Sequence, residues 1–151
     1  MRVRRGIQVQ SKSTVSAELV VLTSTGVQLE GFRRAVQRLR AAVETNDENG
    51  VYVSVMEALN WLPVFVGSDL REHGDIGALL YARHRGSHQQ ASVIYHEEGD
   101  VWRWRPAASL PMPPKDDQRH HHPKLRAKYE CLLEREPVLD VFDRLPPPLR
   151  P

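Results

Sequence analysis

Gln28-Leu29-Glu30-Gly31-Phe32-Arg33-Arg34-Ala35-Val36-Gln37-Arg38-Leu39-Arg40-Ala41-Ala42-Val43-Glu44-Thr45-Asn46 decides the fold class. At 100° per residue, Leu29, Phe32, Val36, Leu39 and Val43 fall within about 80° of one another, while Arg34, Gln37 and Arg38 lie mostly off that stripe. A helix so patterned must bury one face against a neighbour. Asn46-Asp47-Glu48-Asn49-Gly50 then reads as a helix stop and a turn.

Moving outward, a second helix is expected from about Val51 to Val66. Tyr52, Val55, Leu59, Leu62 and Val66 share a face, and Met56, Ala58 and Phe65 widen it, so most of this helix should be buried. Pro63 clashes with the Leu59 carbonyl and should bend or interrupt the helix near Asn60-Trp61. After a polar connection, Asp75 is a plausible N-cap for a third helix from Ile76 to about Tyr95. Its stripe runs Ile76, Leu79, Leu80, Arg83, Ser87, Gln90 and Ile94, aliphatic at both ends and polar in the middle. Such a stripe either lines a wet interface or builds a site.

The flanks are less regular. Ile7 and Val9 alternate with polar neighbours and Leu19-Val20-Val21-Leu22 is a short apolar run, so residues 1–27 read as one or two strands or a docked extension. Val101-Trp102-Arg103-Trp104-Arg105 alternates with period two, a strand signal that makes it a candidate partner for the N-terminal strand. Alternation sends both Trp to one face, and packing on the helices is favoured over base stacking. Residues 106–123 hold five prolines, Asp116-Asp117 and the run His120-His121-His122, and read as a loop. Helical pattern returns with Tyr129, Leu132 and Leu133. Pro137 suits the first position of a last short helix carrying Val138, Val141, Phe142 and Leu145, which Pro146-Pro147-Pro148 ends.

The expected fold is therefore mainly α: a helical bundle of four or five helices with a minor extended β element from the N-terminus and residues 101–105. The boundaries are an extension over 1–27, a helical domain over 28–145 and a tail over 146–151.

With 151 residues, 40% hydrophobic and 26% charged, the chain fits one domain with a real core. Cys131 is the single cysteine, which excludes an intramolecular disulfide and does not imply an oxidising compartment. The basic start Met1-Arg2-Val3-Arg4-Arg5 leads into Gln8, Gln10, Ser11 and Lys12 where a signal peptide needs an apolar run. The longest apolar stretch is interrupted by Glu57, Asn60 and Pro63. A cytoplasmic location without membrane insertion is expected. Net charge is +2, but Arg2, Arg4, Arg5, Lys12, Arg33, Arg34, Arg38 and Arg40 crowd the first 40 residues. That excess suits a phosphate backbone or, more simply, a solvated helix face and a basic tail.

Chemistry concentrates in Arg83-His84-Arg85-Gly86-Ser87-His88. Arg83 lies about 20° from the centre of the expected stripe, which would draw its guanidinium inward or to a partner surface, and His84 and His88 share a ridge. RNA self-cleavage needs an acid/base near neutral pH and a fixed cation for phosphorane charge. His and Arg supply both without a metal. The zinc reading is weaker, because no Glu stands between His84 and His88, and nothing in the sequence fixes His73, His96 or Glu97 beside them. No metal or other cofactor is expected.

This stretch resembles the HEPN superfamily of helical-bundle ribonucleases, whose motif is an Arg, a polar residue, a short spacer and a His. Arg83 and His88 match its ends, His84 stands where Asn is commonest, and Leu79-Leu80-Tyr81-Ala82 is similar to the apolar lead-in. The resemblance covers about residues 28–96. It implies a homodimer in which Arg and His of two chains face each other, and metal-independent RNA cleavage leaving a cyclic phosphate. Toxin or phage-defence settings follow, with an antitoxin-like protein partner. On this reading His88 is the acid/base and Arg83 stabilises the transition state, while His84, Arg85 and Ser87 hold and orient the phosphate. The alternative is a non-catalytic helical interaction or adaptor protein whose polar strip binds a partner.

Overall fold

The computed structural model describes residues 12–65, 73–89, 92–111 and 122–150, with the side chains of 12–25, 65, 88, 89 and 148 outside that description. Among the described residues the chain is mainly helical, with five α-helices and one two-stranded antiparallel sheet. In order these are α1 (Lys12–Glu44), α2 (Glu48–Phe65), α3 (Gly74–Gln89), β1 (Ile94–Glu97), β2 (Val101–Trp104), α4 (Pro123–Leu132) and α5 (Val138–Asp143). Short 3-10 turns occupy Ala107–Ser109 and Pro147–Leu149. No described helix is long and apolar enough to cross a membrane.

Helices α1 and α2 form an antiparallel pair whose corner is set by local chemistry. Asn46 adopts a left-handed φ of 54°. Its N–H and that of Asp47 reach back to the Val43 and Ala42 carbonyls at 3.2 and 2.9 Å. This is a Schellman ending with Asn in the glycine position. Asp47 then caps α2, its Oδ1 accepting the Gly50 N–H at 3.0 Å. The expected stop at Asn46–Gly50 is thus a one-corner hairpin. At the other end Gly31 lets α1 approach the Trp61 ring, since a Cβ there would lie 2.6 Å from it. Helix α2 continues through Pro63 to Phe65.

The core joins Phe32, Val36 and Leu39 of α1 to Val55, Leu59 and Leu62 of α2 and to Ile76, Leu79 and Ala82 of α3. The distant C-terminal part closes it: Phe142 meets Phe32 with ring centres 6.1 Å apart, and Leu145 and Leu149 are buried. Arg40–Asp143 and Arg38–Glu57 ion pairs border this seam.

Three expectations need correction. The run Leu19–Leu22 lies within α1, so that part of residues 1–27 is helix and not strand. Extending a helix already nucleated over 28–44 is cheaper than starting a new element, which overrides the β preference of the valines. Ile7 and Val9 lie outside the described residues. The third helix stops at Gln89, and Ile94–Glu97, expected to lie partly within it, is a strand. The Trp-Arg-Trp-Arg segment pairs with that strand, a partner not expected for it, in register Ile94↔Trp104 to Glu97↔Val101. Gly99 (φ 99°) and Asp100 (φ 60°) supply the positive dihedrals the intervening turn requires.

Both tryptophans of β2 are buried against the core, as the alternation predicts. The other edge of β2 is tied to the C-terminal segment. Trp104 N–H donates to the Glu136 carbonyl (3.1 Å) and the Trp104 carbonyl accepts Arg135 N–H (2.9 Å).

Tyr129 of α4 is fully buried, and its hydroxyl donates to the Arg105 carbonyl at 2.7 Å. Burial, with Glu134 and Tyr81 adding to it, raises its pKa well above the ordinary tyrosine range. The unfolded phenol ionises near about pH 10 and the folded one does not, so the folded state holds the proton longer. The Tyr129 contribution is therefore fully present below about pH 10 and is lost above it by about 1.4 kcal/mol per pH unit. Urea midpoints measured across this range are expected to fall in the wild type and to fall less steeply in Tyr129→Phe; parallel slopes would contradict the assignment.

Candidate functional site

Helix α3 carries Arg83 to Ser87 between α2 on one side and the start of α4 on the other. Its inner side is Ala78, Tyr81, Ala82 and Arg85, all buried, whereas Leu80, Arg83 and His84 are half-buried and Ser87 is exposed. The helix is therefore rotated relative to the stripe read from sequence. Ser87 is on the exposed side, Arg83 is half-buried at its border, and Leu80 packs on the edge of the core. Gln90 lies outside the described residues.

Arg85 is the main correction among the expected site residues. It is 0% exposed, with Cζ 4.8 Å from the centre of the Tyr81 ring. Tyr81 in turn packs on Tyr129 at 5.2 Å. An arginine seated against an aromatic face gains a cation–π attraction that offsets part of its desolvation. Arg85 thus lies in the core, away from the surface on which it was expected.

Arg83 stays at the border of the exposed side. Its Nε is buried and has no hydrogen-bond partner among the described residues. Two acids that would neutralise it in a purely structural role are engaged elsewhere: Asp75 holds Arg144 at 2.9 Å and Glu57 holds Arg38. One turn on, the Ser87 hydroxyl donates to Asn60 Oδ1 of α2 at 3.0 Å. Gly86 faces Met56, whose Cε would lie 2.7 Å from a Cβ at that position. This contact seats the strip directly beside α2.

On the other flank the His84 ring meets His122 edge to face, with ring centres 4.5 Å apart. His88 lies in the last turn of α3, four residues after His84 on the same ridge; its side chain lies outside the described residues. Ser87 is thus turned to α2 and His84 to the start of α4, with the half-buried Arg83 on the same helix and Arg85 in the core. Sequence reasoning missed Asn60 and His122. The first is a polar residue on α2, and the second belongs to the histidine run read only as part of a loop. Among the described residues no three His, Cys, Asp or Glu side chains converge.

Beside the strip runs an open groove on α2 of 730 Å³ lined by Tyr52, Val53, Met56, Glu57, Asn60, Trp61 and Val64. Val53 and Val64 are 66% and 51% exposed, high for large aliphatic residues on one helix, and they lie about three turns apart on the same face. No family model, curated protein or solved structure matches the chain.

Proposed function

We propose that the protein is a HEPN-like, metal-independent RNA-cleaving or RNA-binding protein that works as a homodimer in the cytoplasm. The observation that carries this reading is the placement of Arg83 at the border of the exposed side of α3, with Ser87 exposed, His84 on the same helix and His88 one turn further on. An arginine held at that border beside a histidine ridge supplies a fixed cation and acid/base groups side by side.

In the proposed reaction the 2′-hydroxyl of RNA attacks the adjacent phosphorus. The P–O2′ bond forms and the P–O5′ bond breaks, leaving a 2′,3′-cyclic phosphate and a 5′-hydroxyl. His88 takes the 2′-hydroxyl proton, and the protonated His88 of a second copy gives one to the leaving oxygen. Arg83 offsets charge on the non-bridging oxygens, and His84 and Ser87 orient the phosphate. The exposed Val53 and Val64 beside the strip supply the apolar surface a second copy would cover. A toxin or defence setting with an antitoxin-like partner belongs to the same proposal.

The same apolar groove favours the second reading, a non-catalytic helical adaptor whose α2 face binds a protein. Digestion of RNA in EDTA by the wild type and by His88→Ala, with product ends mapped, separates the two. Cyclic phosphate ends that vanish in His88→Ala are expected. An inert wild type, or equal cleavage by both proteins, turns the assignment to the adaptor.

A further inference from the structure

We infer that α2 is the seam of a homodimer, packing antiparallel on α2 of a second copy across a two-fold axis at the level of Ala58 and Leu59. The outer face of this helix carries Val53, Met56, Glu57, Asn60, Trp61 and Val64, and all six line its open groove. At 100° per residue Val53, Glu57, Asn60 and Val64 fall within about 60° of one another, with Met56 and Trp61 on opposite edges. The face has the same order from either end. Val53 and Val64 are equally far from the midpoint between Ala58 and Leu59, as are Met56 and Trp61, and Glu57 and Asn60. A two-fold contact is isologous, so in this pairing each residue meets its mirror residue on the other copy.

Every mirror pair is a chemical match. Valine meets valine at both ends of the seam. Methionine meets tryptophan, a thioether against an aromatic ring. Glu57 meets Asn60, whose Oδ1 already accepts the Ser87 hydroxyl at 3.0 Å, so that its Nδ2 is turned to donating to a carboxylate. Arg38, paired with Glu57 within one chain, offsets the repulsion between two glutamates near the axis. A parallel pairing would instead set Glu57 on its own copy.

The apolar surface is concentrated on this side of the chain. Among the described residues the exposed large hydrophobic side chains are Val27, Val53 and Val64. Val27 lines a second hollow with Gly31 and Arg34 of α1, and Trp61 lines both hollows. The three valines thus border one continuous face, whereas single exposed apolar residues are ordinarily scattered. A second copy is the occupant because the face is complementary to itself. The seam gives the homodimer of the proposed function its contact, and it rests on that reading for the dimer alone and not for RNA cleavage.

Sedimentation equilibrium of the full chain at micromolar concentration is expected to give twice the 17.3 kDa of one copy. Val53→Glu and Val64→Lys change exposed positions, and far-ultraviolet circular dichroism checks that each variant folds. Each is expected to raise the dimer dissociation constant at least about 30-fold, since the change enters the seam twice. The double variant Val53→Glu/Val64→Lys is expected to recover the dimer, because antiparallel mirror pairing sets each new acid against a new base of the other copy. Within one chain the two positions are about 16 Å apart, too far to pair. The recovered dimer should weaken at high salt. A monomeric wild type removes both the seam and the homodimer, and gives the face to a different protein. A dimer that neither single variant weakens, or a double variant no tighter than the singles, overturns the seam and leaves the homodimer standing. The expected pattern in a protein that cleaves no RNA keeps the seam and removes only the nuclease reading.

Discussion

Arg83→Ala is expected to lower the rate of RNA cleavage in EDTA by about 100- to 1,000-fold, the loss that follows removal of one donor to a developing oxyanion. Its stability should change by about 1 kcal/mol, because the side chain is half-buried and lies outside the core cluster. Arg85→Ala should do the reverse. Arg85 is fully buried against Tyr81, so truncation leaves a cavity and removes a cation–π contact. A loss of about 2–5 kcal/mol is expected, as for other large-to-small changes in a core. At temperatures where the Arg85→Ala protein is still folded, it should cleave RNA near the wild-type rate. Initial rates and urea midpoints of both variants decide the matter. An unstable Arg83→Ala beside a stable but inactive Arg85→Ala would mean that the two faces of α3 have been assigned the wrong way round.

Trp104→Ala is expected to destabilise the fold by about 3–5 kcal/mol, the range for removing a buried aromatic side chain. Trp104 is completely buried and meets Phe142 with ring centres 6.2 Å apart. Its backbone also makes two hydrogen bonds to the segment around Arg135–Glu136. The ring therefore fixes the hairpin to the helices while its main chain fixes the hairpin to the C-terminal segment. Against a typical total stability of about 5–15 kcal/mol, this single change removes a large share. Thermal unfolding checks it, and a midpoint within a few degrees of wild type would contradict the role given to the ring. Trp104→Phe, which keeps much of the apolar volume, should recover a large part of the loss.

The α1–α2 pair was legible because both parts of its signal are local. A sustained stripe from Leu29 to Val43 is followed by turn residues that can adopt the required dihedrals. The rotation of α3 was not legible. Ile76, Leu79 and Leu80 start a convincing stripe, but the inner side past that point is Tyr81, Ala82 and Arg85. Periodicity counts Arg85 as polar and cannot know that the Tyr81 ring builds a seat for it. A tyrosine, an alanine and a buried arginine were thus outvoted by aliphatics one turn earlier. Ile94 and Tyr95 were absorbed into the helix for the same reason, since Ile94 continues the stripe by spacing alone. Its strand partner lies across a three-residue turn. The meeting of His84 and His122 depends on α4 docking beside α3, a tertiary event with no local trace.

The closure of the core by Leu145 and Leu149 bears on how the chain is made. These side chains, with Phe142 against Phe32, fill seats prepared by α1, more than a hundred residues earlier. On the ribosome α1, α2 and α3 emerge long before their last partners leave the exit tunnel. Contacts within the helical pair are local and form quickly, whereas the C-terminal ones must wait for synthesis and for closure of a long loop. Through that interval the nascent protein exposes the apolar surface that Phe142, Leu145 and Leu149 later cover. It is then a substrate for chaperones and proteases.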